Sequence, residues 1–227
     1  MRRIRALLTD LDGTLYRSAR FEAEVKRLTL EIVAELLGTS LAEAEGRLRE
    51  ARRACKTLTM SLDYMGVPRE LFYEELSKRI RYGELLSPDP RIARLLNEVR
   101  ARGYKVAIIT NSGRAHALKT MGALGIPLSA VDALVTSSDV RRPKTDPEPY
   151  LKGLRLLGVE ASEVVYMGDR VEEEVRPAKE LGMITVLVSP QPVESPWVDF
   201  VIDEPFKVLE VLEGLNAAWG RAQPPGR

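Results

Sequence analysis

Apolar residues follow two rhythms along the chain, and the change between them falls near Ser87. Ile4 to Leu8 is a short apolar run that reads as a buried strand. From Glu22 to Tyr82 the spacing is helical and strand signals are nearly absent. Val25, Leu28, Ile32, Val33, Leu36 and Leu37 mark one face of a helix over Glu22–Leu37, closed by Gly38. Ser40 with Glu43 opens a second helix that runs past Cys55, and Leu71, Phe72, Leu76 and Ile80 predict a third over Pro68–Arg81. Beyond Ser87, strands and helices alternate. Strands are predicted at Lys105–Thr110, Ala133–Thr136, Val164–Met167, Ile184–Val188 and, at an edge, Phe200–Ile202. Helices are predicted at Ile92–Arg102, His116–Leu124, Pro147–Leu157, Val175–Leu181 and Phe206–Leu215, with Ala217–Arg227 as a frayed tail.

Alternation of this kind implies an α/β fold with a doubly wound parallel sheet, whose ligands bind outside the carboxyl ends of the strands. The helical block departs straight after the first strand, so it should sit over that same edge. The expected organisation is an α/β core from residues 1–18 and 86–227 and an inserted α-helical cap from residues 19–85.

Composition narrows the function without choosing it. The 227 residues are 44% hydrophobic, enough for one large domain or a core with an insert, and no apolar run approaches the length of a membrane span. A net charge of +1 gives no electrostatic case for nucleic acid or an anionic membrane, and the lone Cys55 excludes a disulfide framework. A cytoplasmic chain is expected. Charged residues reach 30% while Asn, Gln and Cys are scarce, which suggests a thermophilic source.

The chemistry starts where the first strand stops, in D-L-D-G-T-L. Residues two apart on an extended segment face the same way, so Asp10 and Asp12 converge at the strand's carboxyl end. Carboxylates so close need a cation or a shared proton, and Mg²⁺ is the usual hard cation. One such aspartate can attack an electrophile while the other shuttles the proton. The second strand ends in T-N-S-G, placing Thr110 and Asn111 beside a helix start that either favours an anion or is simply capped by Asn111 or Ser112. Lys144, held in R-R-P-K-T-D-P, is either a fixed point cation or a solvated loop residue. Asp169 closes the fourth strand in V-V-Y-M-G-D, where it could complete a metal site with Asp10 and Asp12. Glu172, Glu173 and Glu174 follow in a helix's first turn, a place that suits acids in any case.

Taken together and in this order, these four segments resemble the motifs of the haloacid dehalogenase-like hydrolases with a helical cap, in the branch that includes phosphatases and 5′-nucleotidases. The resemblance implies a Mg²⁺-dependent phosphomonoester hydrolase working through an aspartyl-phosphate. Asp10 would then be the nucleophile and Asp12 the general acid and base. Thr110, Asn111 and Lys144 would hold phosphate, Asp10, Asp12 and Asp169 the metal, and Glu174 the place of the family's second acid. Two departures stand out: Thr145 replaces the family's usual proline, which should loosen the Lys144 loop, and Glu174 replaces an aspartate. A phosphomutase on a sugar phosphate and a non-catalytic phosphate- or metal-binding scaffold are the competing readings. Tyr16, Ser18 and the run T-N-S-G-R-A-H-A-L resemble the branch that includes pyrimidine 5′-nucleotidases, and that resemblance implies a nucleoside monophosphate as substrate. Tyr64, Arg79 and Tyr82 are the cap residues expected to select it, whereas His116, the one histidine, is expected to be exposed or capping.

Overall fold

The computed structural model describes residues 2–222. Six strands are present: β1 (Ala6–Thr9), β2 (Lys105–Ile109), β3 (Ala133–Val135), β4 (Val164–Gly168), β5 (Ile184–Val188) and β6 (Phe200–Ile202). They form one parallel sheet in the order β3-β2-β1-β4-β5-β6. Every residue of β1 is buried, because helices cover both faces and a solvent-facing polar position is never needed.

Alternation along the strands sorts their side chains into two cores. Leu7, Val106, Ile108, Val165, Met167 and Val186 face α6 (Pro90–Ala101), α7 (Arg114–Ala123) and α10 (Val208–Ala222). Leu8, Ile109, Val135 and Tyr166 face α8 (Glu148–Leu157) and α9 (Arg176–Glu180). The first core continues into the helical insert through Leu11, Leu15, Phe21, Leu28, Ile32 and Phe72. That insert consists of α1 (Ala19–Leu37), α2 (Leu41–Ala54), α3 (Leu58–Tyr64), α4 (Arg69–Arg79) and α5 (Tyr82–Leu85). Its apolar interior and that of one sheet face are thus one body.

Several elements differ from the pattern-based expectation. Helix α1 starts three residues before Glu22 because Ser18 caps it, its Oγ accepting from the Phe21 N–H at 3.3 Å. Helix α3 has no apolar stripe to betray it: Thr59 and Ser61 are buried, and Thr57 caps the first turn by accepting from the Met60 N–H at 3.2 Å. Helix α5 occupies what looks in the sequence like a flexible return segment. The terminal helix runs through to Ala222 where a frayed tail was expected, and residues 223–227 of that tail lie outside the described residues.

The ladder delivers functional groups to one edge. Asp10 donates its N–H to the Met167 carbonyl and Thr110 to the Val135 carbonyl, each at 2.9 Å, so both continue their strands by one residue. Asp169 follows β4 directly. Parallel register at β1–β2 and β1–β4 therefore sets Asp10 level with Ile109 and Gly168, with Thr110 and Asp169 one residue further along the same sheet edge.

Candidate active site

Leaving β1, the chain turns tightly, with the Leu15 N–H bonded to the Leu11 carbonyl and the Gly13 N–H to the Tyr16 carbonyl. Gly13 has φ +88°, a left-handed conformation costly for other residues, and an added Cβ would lie 2.4 Å from Asp169 Oδ2. Glycine is needed here for both reasons. The turn wraps Thr14 back so that its Oγ1 donates to Asp10 Oδ2 at 3.2 Å.

Lys144, 1% exposed, is the counter-ion of the site. Its Nζ donates to Asp10 Oδ1 and pairs with Glu174 Oε1 at 2.8 Å. Its backbone N–H donates to Asn111 Oδ1 at 2.8 Å. The absent proline does not leave this loop loose. Glu148 accepts from the backbone N–H groups of Arg141 and Arg142, and Thr145 Oγ1 reaches Met60 Sδ at 3.4 Å. Asn111 is accordingly placed to orient the lysine, and its own carbonyl accepts from Tyr73 Oη at 2.9 Å and Thr59 Oγ1 at 3.0 Å on the insert.

Glu174 is the acid of its triplet that turns inward; Glu172 is exposed and Glu173 half-buried. The backbone explains the choice. Val171–Val175 forms a wide turn, closed by the Val175 N–H on the Arg170 carbonyl five residues back at 3.0 Å, before α9 begins. The widened turn rotates Glu174 under Gly168, where a Cβ on Gly168 would come within 2.8 Å of Glu174 Oε2.

Asp10, Asp169 and Glu174 each offer an oxygen within 4.8 Å of the others. Asp169 Oδ1 and Glu174 Oε2 are buried without a hydrogen-bond partner, an arrangement that is costly unless a cation or ordered water completes it. Three carboxylates suit a hard divalent cation that keeps water and a phosphate oxygen in its remaining positions. Asp12 differs from the sequence expectation, because its carboxylate lies outside this group. It accepts instead from Tyr16 Oη at 2.5 Å, Ser112 Oγ at 3.1 Å and Thr110 Oγ1 at 3.3 Å.

Charge crowding shows in the acidities. Burial, then the Glu174 charge, raise the Asp10 carboxyl well above its usual range against the pull of Lys144. Burial also raises Glu174, with Lys144 opposing and Asp169 adding to the rise, and burial raises Asp169.

These groups floor a cavity of about 700 Å³ whose walls come from the insert, including Phe21, Arg52, Thr59 and Tyr73, and from His116 and Arg170 of the core. His116 is neither exposed nor a cap. It is buried, its Nδ1 lies 2.7 Å from Tyr82 Oη, and burial lowers its pKa. Of the expected cap residues, Tyr82 sits behind that histidine, Arg79 pairs with Glu35 at 2.6 Å and Glu75 at 3.1 Å, and Tyr64 is exposed; none lines the cavity. Thr14, Ser112, Tyr73 and Arg52 were missed. Thr14 and Ser112 lie inside the motifs themselves, whereas nothing in the local sequence marks Tyr73 or Arg52.

Gly13→Ala tests the geometry. The added methyl must displace the Asp169 carboxylate, and a shift of about 1 Å at a reacting centre costs roughly a hundredfold. We expect that loss in kcat/KM, together with weaker divalent-cation binding by titration; an unchanged variant would mean that Asp169 needs no such placement.

The doubly wound parallel sheet thus carries a buried aspartate paired with a buried lysine at its carboxyl edge. The pattern of the haloacid dehalogenase-like hydrolases matches residues 4–182, and the chain belongs to that family. It is 27% identical to a glyceraldehyde 3-phosphate phosphatase of Methanocaldococcus jannaschii, over 94% of this chain and 99% of that protein. It is also 27% identical to the pyrophosphatase PpaX of Bacillus cereus, with the same coverage. The crystal structure of a haloacid dehalogenase-like phosphatase from Thermococcus onnurineus superposes with a TM-score of 0.70 at 27% identity, covering 93% of this chain and 99% of that one. No described helix is long and apolar enough to cross a membrane.

Proposed function

We propose that the protein is a Mg²⁺-dependent phosphomonoesterase that hydrolyses a small phosphorylated metabolite through an aspartyl-phosphate on Asp10. The observation that carries this reading is Asp10 itself: buried, 2% exposed, beside a fixed lysine and two further carboxylates, and open to the cavity. Asp10, Asp169 and Glu174 would hold the cation, which supplies charge neutralisation at the phosphate. An Asp10 carboxylate oxygen attacks phosphorus, and the bond to the leaving oxygen breaks as Asp12 delivers a proton to it. Asp12 then takes a proton from water as that water attacks phosphorus, restoring Asp10 and releasing phosphate. Lys144 offsets negative charge throughout.

The two relatives, a glyceraldehyde 3-phosphate phosphatase and a pyrophosphatase, favour a small substrate, a three-carbon phosphate or a diphosphate. Nucleoside monophosphates belong in the same panel, since Phe21, Tyr73 and His116 give the cavity aromatic walls against which a base could stack. Phosphate release across that panel, with and without EDTA, tests the reading. Metal-dependent release from at least one member is expected. Full activity after chelation would contradict it, and phosphate moved within a sugar rather than released would make the protein a mutase.

The acidities add a pH signature. Because Asp10, Asp169 and Glu174 are raised in the folded chain, the metal-free fold holds protons that the unfolded chain has released. Its stability therefore falls as pH rises from the ordinary carboxyl range through the raised values. A divalent cation competes with those protons, so its stabilisation should grow with pH. At a hundredfold excess over its dissociation constant Mg²⁺ contributes about 2.7 kcal/mol, or roughly 5–10 °C in Tm for a chain of this size. We expect that gain at pH 8 and little of it at pH 5; equal gains would place the cation elsewhere.

A further inference from the structure

Two arginines line the cavity without a direct ion-pair partner among the described residues. Arg52 lies in the last turn of α2 and Arg170 directly after Asp169, and both line the cavity while staying accessible to solvent. Arg49 on the same wall, by contrast, pairs with Glu45 at 3.3 Å. Among the described residues, neither the Arg52 nor the Arg170 guanidinium has a hydrogen-bond or ion-pair partner. Burial, then the Arg170 charge, pull Arg52 below its usual range. Against burial, the nearby Asp169, Glu174 and Asp10 charges hold Arg170 above its own, so Arg52 is the cation left without an acid.

Resting on the phosphatase reading, we propose that Arg52, brought by the insert, and Arg170, brought by the core, form a second anion subsite, so that the preferred substrate is a phosphoester carrying a further carboxylate or phosphate group. Two like charges facing one cavity repel until an anion lies between them, and a guanidinium matches the fork of a carboxylate or phosphate. The side chains come from the two parts of the chain that bound the cavity. A substrate with a second anionic group would tie insert to core, whereas one without it would leave Arg52 unanswered. Arg170 also neighbours Asp169, so Arg52 is the cleaner handle.

The test uses Asp10→Asn, which still presents the cavity, as a binding platform. Calorimetric affinities are measured with Mg²⁺ for glycerol 3-phosphate and 3-phosphoglycerate, which differ at one carbon as alcohol and carboxylate. Inorganic diphosphate serves as the second-phosphate arm. We expect the carboxylate or the diphosphate to bind about tenfold tighter than the alcohol, the size of one charge-assisted contact. Arg52→Ala placed on this background should erase that preference, and Arg52→Lys should keep part of it. Which of the two anionic arms shows the preference tells carboxylate from phosphate. An equal loss for all ligands in Arg52→Ala, or no preference for either anionic ligand before it, would overturn the subsite. Failure of the unaltered chain to release phosphate from p-nitrophenyl phosphate or any of the three ligands would overturn the phosphatase reading instead, and the affinity ratio would still be readable.

Discussion

Asp10→Asn should fold normally and lose turnover by about 10⁴-fold or more, the scale seen when a covalent nucleophile is removed. The change keeps the shape of the side chain and takes away only its charge. Asp10 is a costly place for that charge, because burial and Glu174 both raise its carboxyl. Lys144 keeps Glu174 as a partner at 2.8 Å, so no buried cation is stranded. The metal-free variant should therefore melt no lower than the parent. Thermal melts and steady-state kinetics on the same preparation check both halves, and a folded variant with normal turnover would remove Asp10 from the chemistry.

Lys144→Met should be the most destabilising single change at the site. It leaves Asp10 and Glu174 facing each other at 2% and 5% exposure without their cation. Stripping one partner from a buried ion pair costs about 3–5 kcal/mol. The loss should depend on pH in a fixed direction. Without the lysine both carboxyls are raised further above their unfolded values, so stability is present at low pH, where they are protonated, and is lost as pH rises through their folded pKa values. Denaturant melts should show the full deficit at pH 8 and a small one at pH 4.5. Equal deficits would mean that Lys144 acts by packing alone. Turnover should fall at least a hundredfold as well, the scale of one preorganised charge contact.

The parts of this molecule that could be read from sequence are those fixed by local periodicity or by a short motif. Alternation beyond Ser87 disclosed the parallel sheet because buried parallel strands must be nearly all apolar. D-L-D-G-T-L carried Asp10, Asp12 and Gly13 because one turn of backbone sets all three. Glu174 was legible only through the family resemblance, since the wide turn at Val171–Val175 is what decides which acid of the triplet faces inward. Asp12 was grouped with the metal ligands by strand alternation, yet the tight turn at Leu11–Tyr16 ends the strand and hands its carboxylate to Tyr16, Thr110 and Ser112.

The insert was the least legible region. Its cavity-facing residues are fixed by how α1, α2 and α4 pack on the core, a long-range matter with no local signature. Tyr64, Arg79 and Tyr82 have the right chemistry for selecting a substrate, but they face solvent, a glutamate pair and His116. His116 looked like a helix-surface residue. It is buried because Phe21 and Tyr82 of the insert close over it, with ring centroids 5.8 Å and 5.6 Å away.

The central claim is a two-step displacement at phosphorus, and stereochemistry tests it without requiring the intermediate to accumulate. A phosphoester made chiral at phosphorus with oxygen and sulfur isotopes would be hydrolysed by the protein in labelled water and the product's configuration determined. Attack by Asp10 followed by attack of water inverts phosphorus twice, so net retention is expected. Net inversion would show that water attacks the substrate directly, and that the carboxylate at the end of β1 is not a nucleophile.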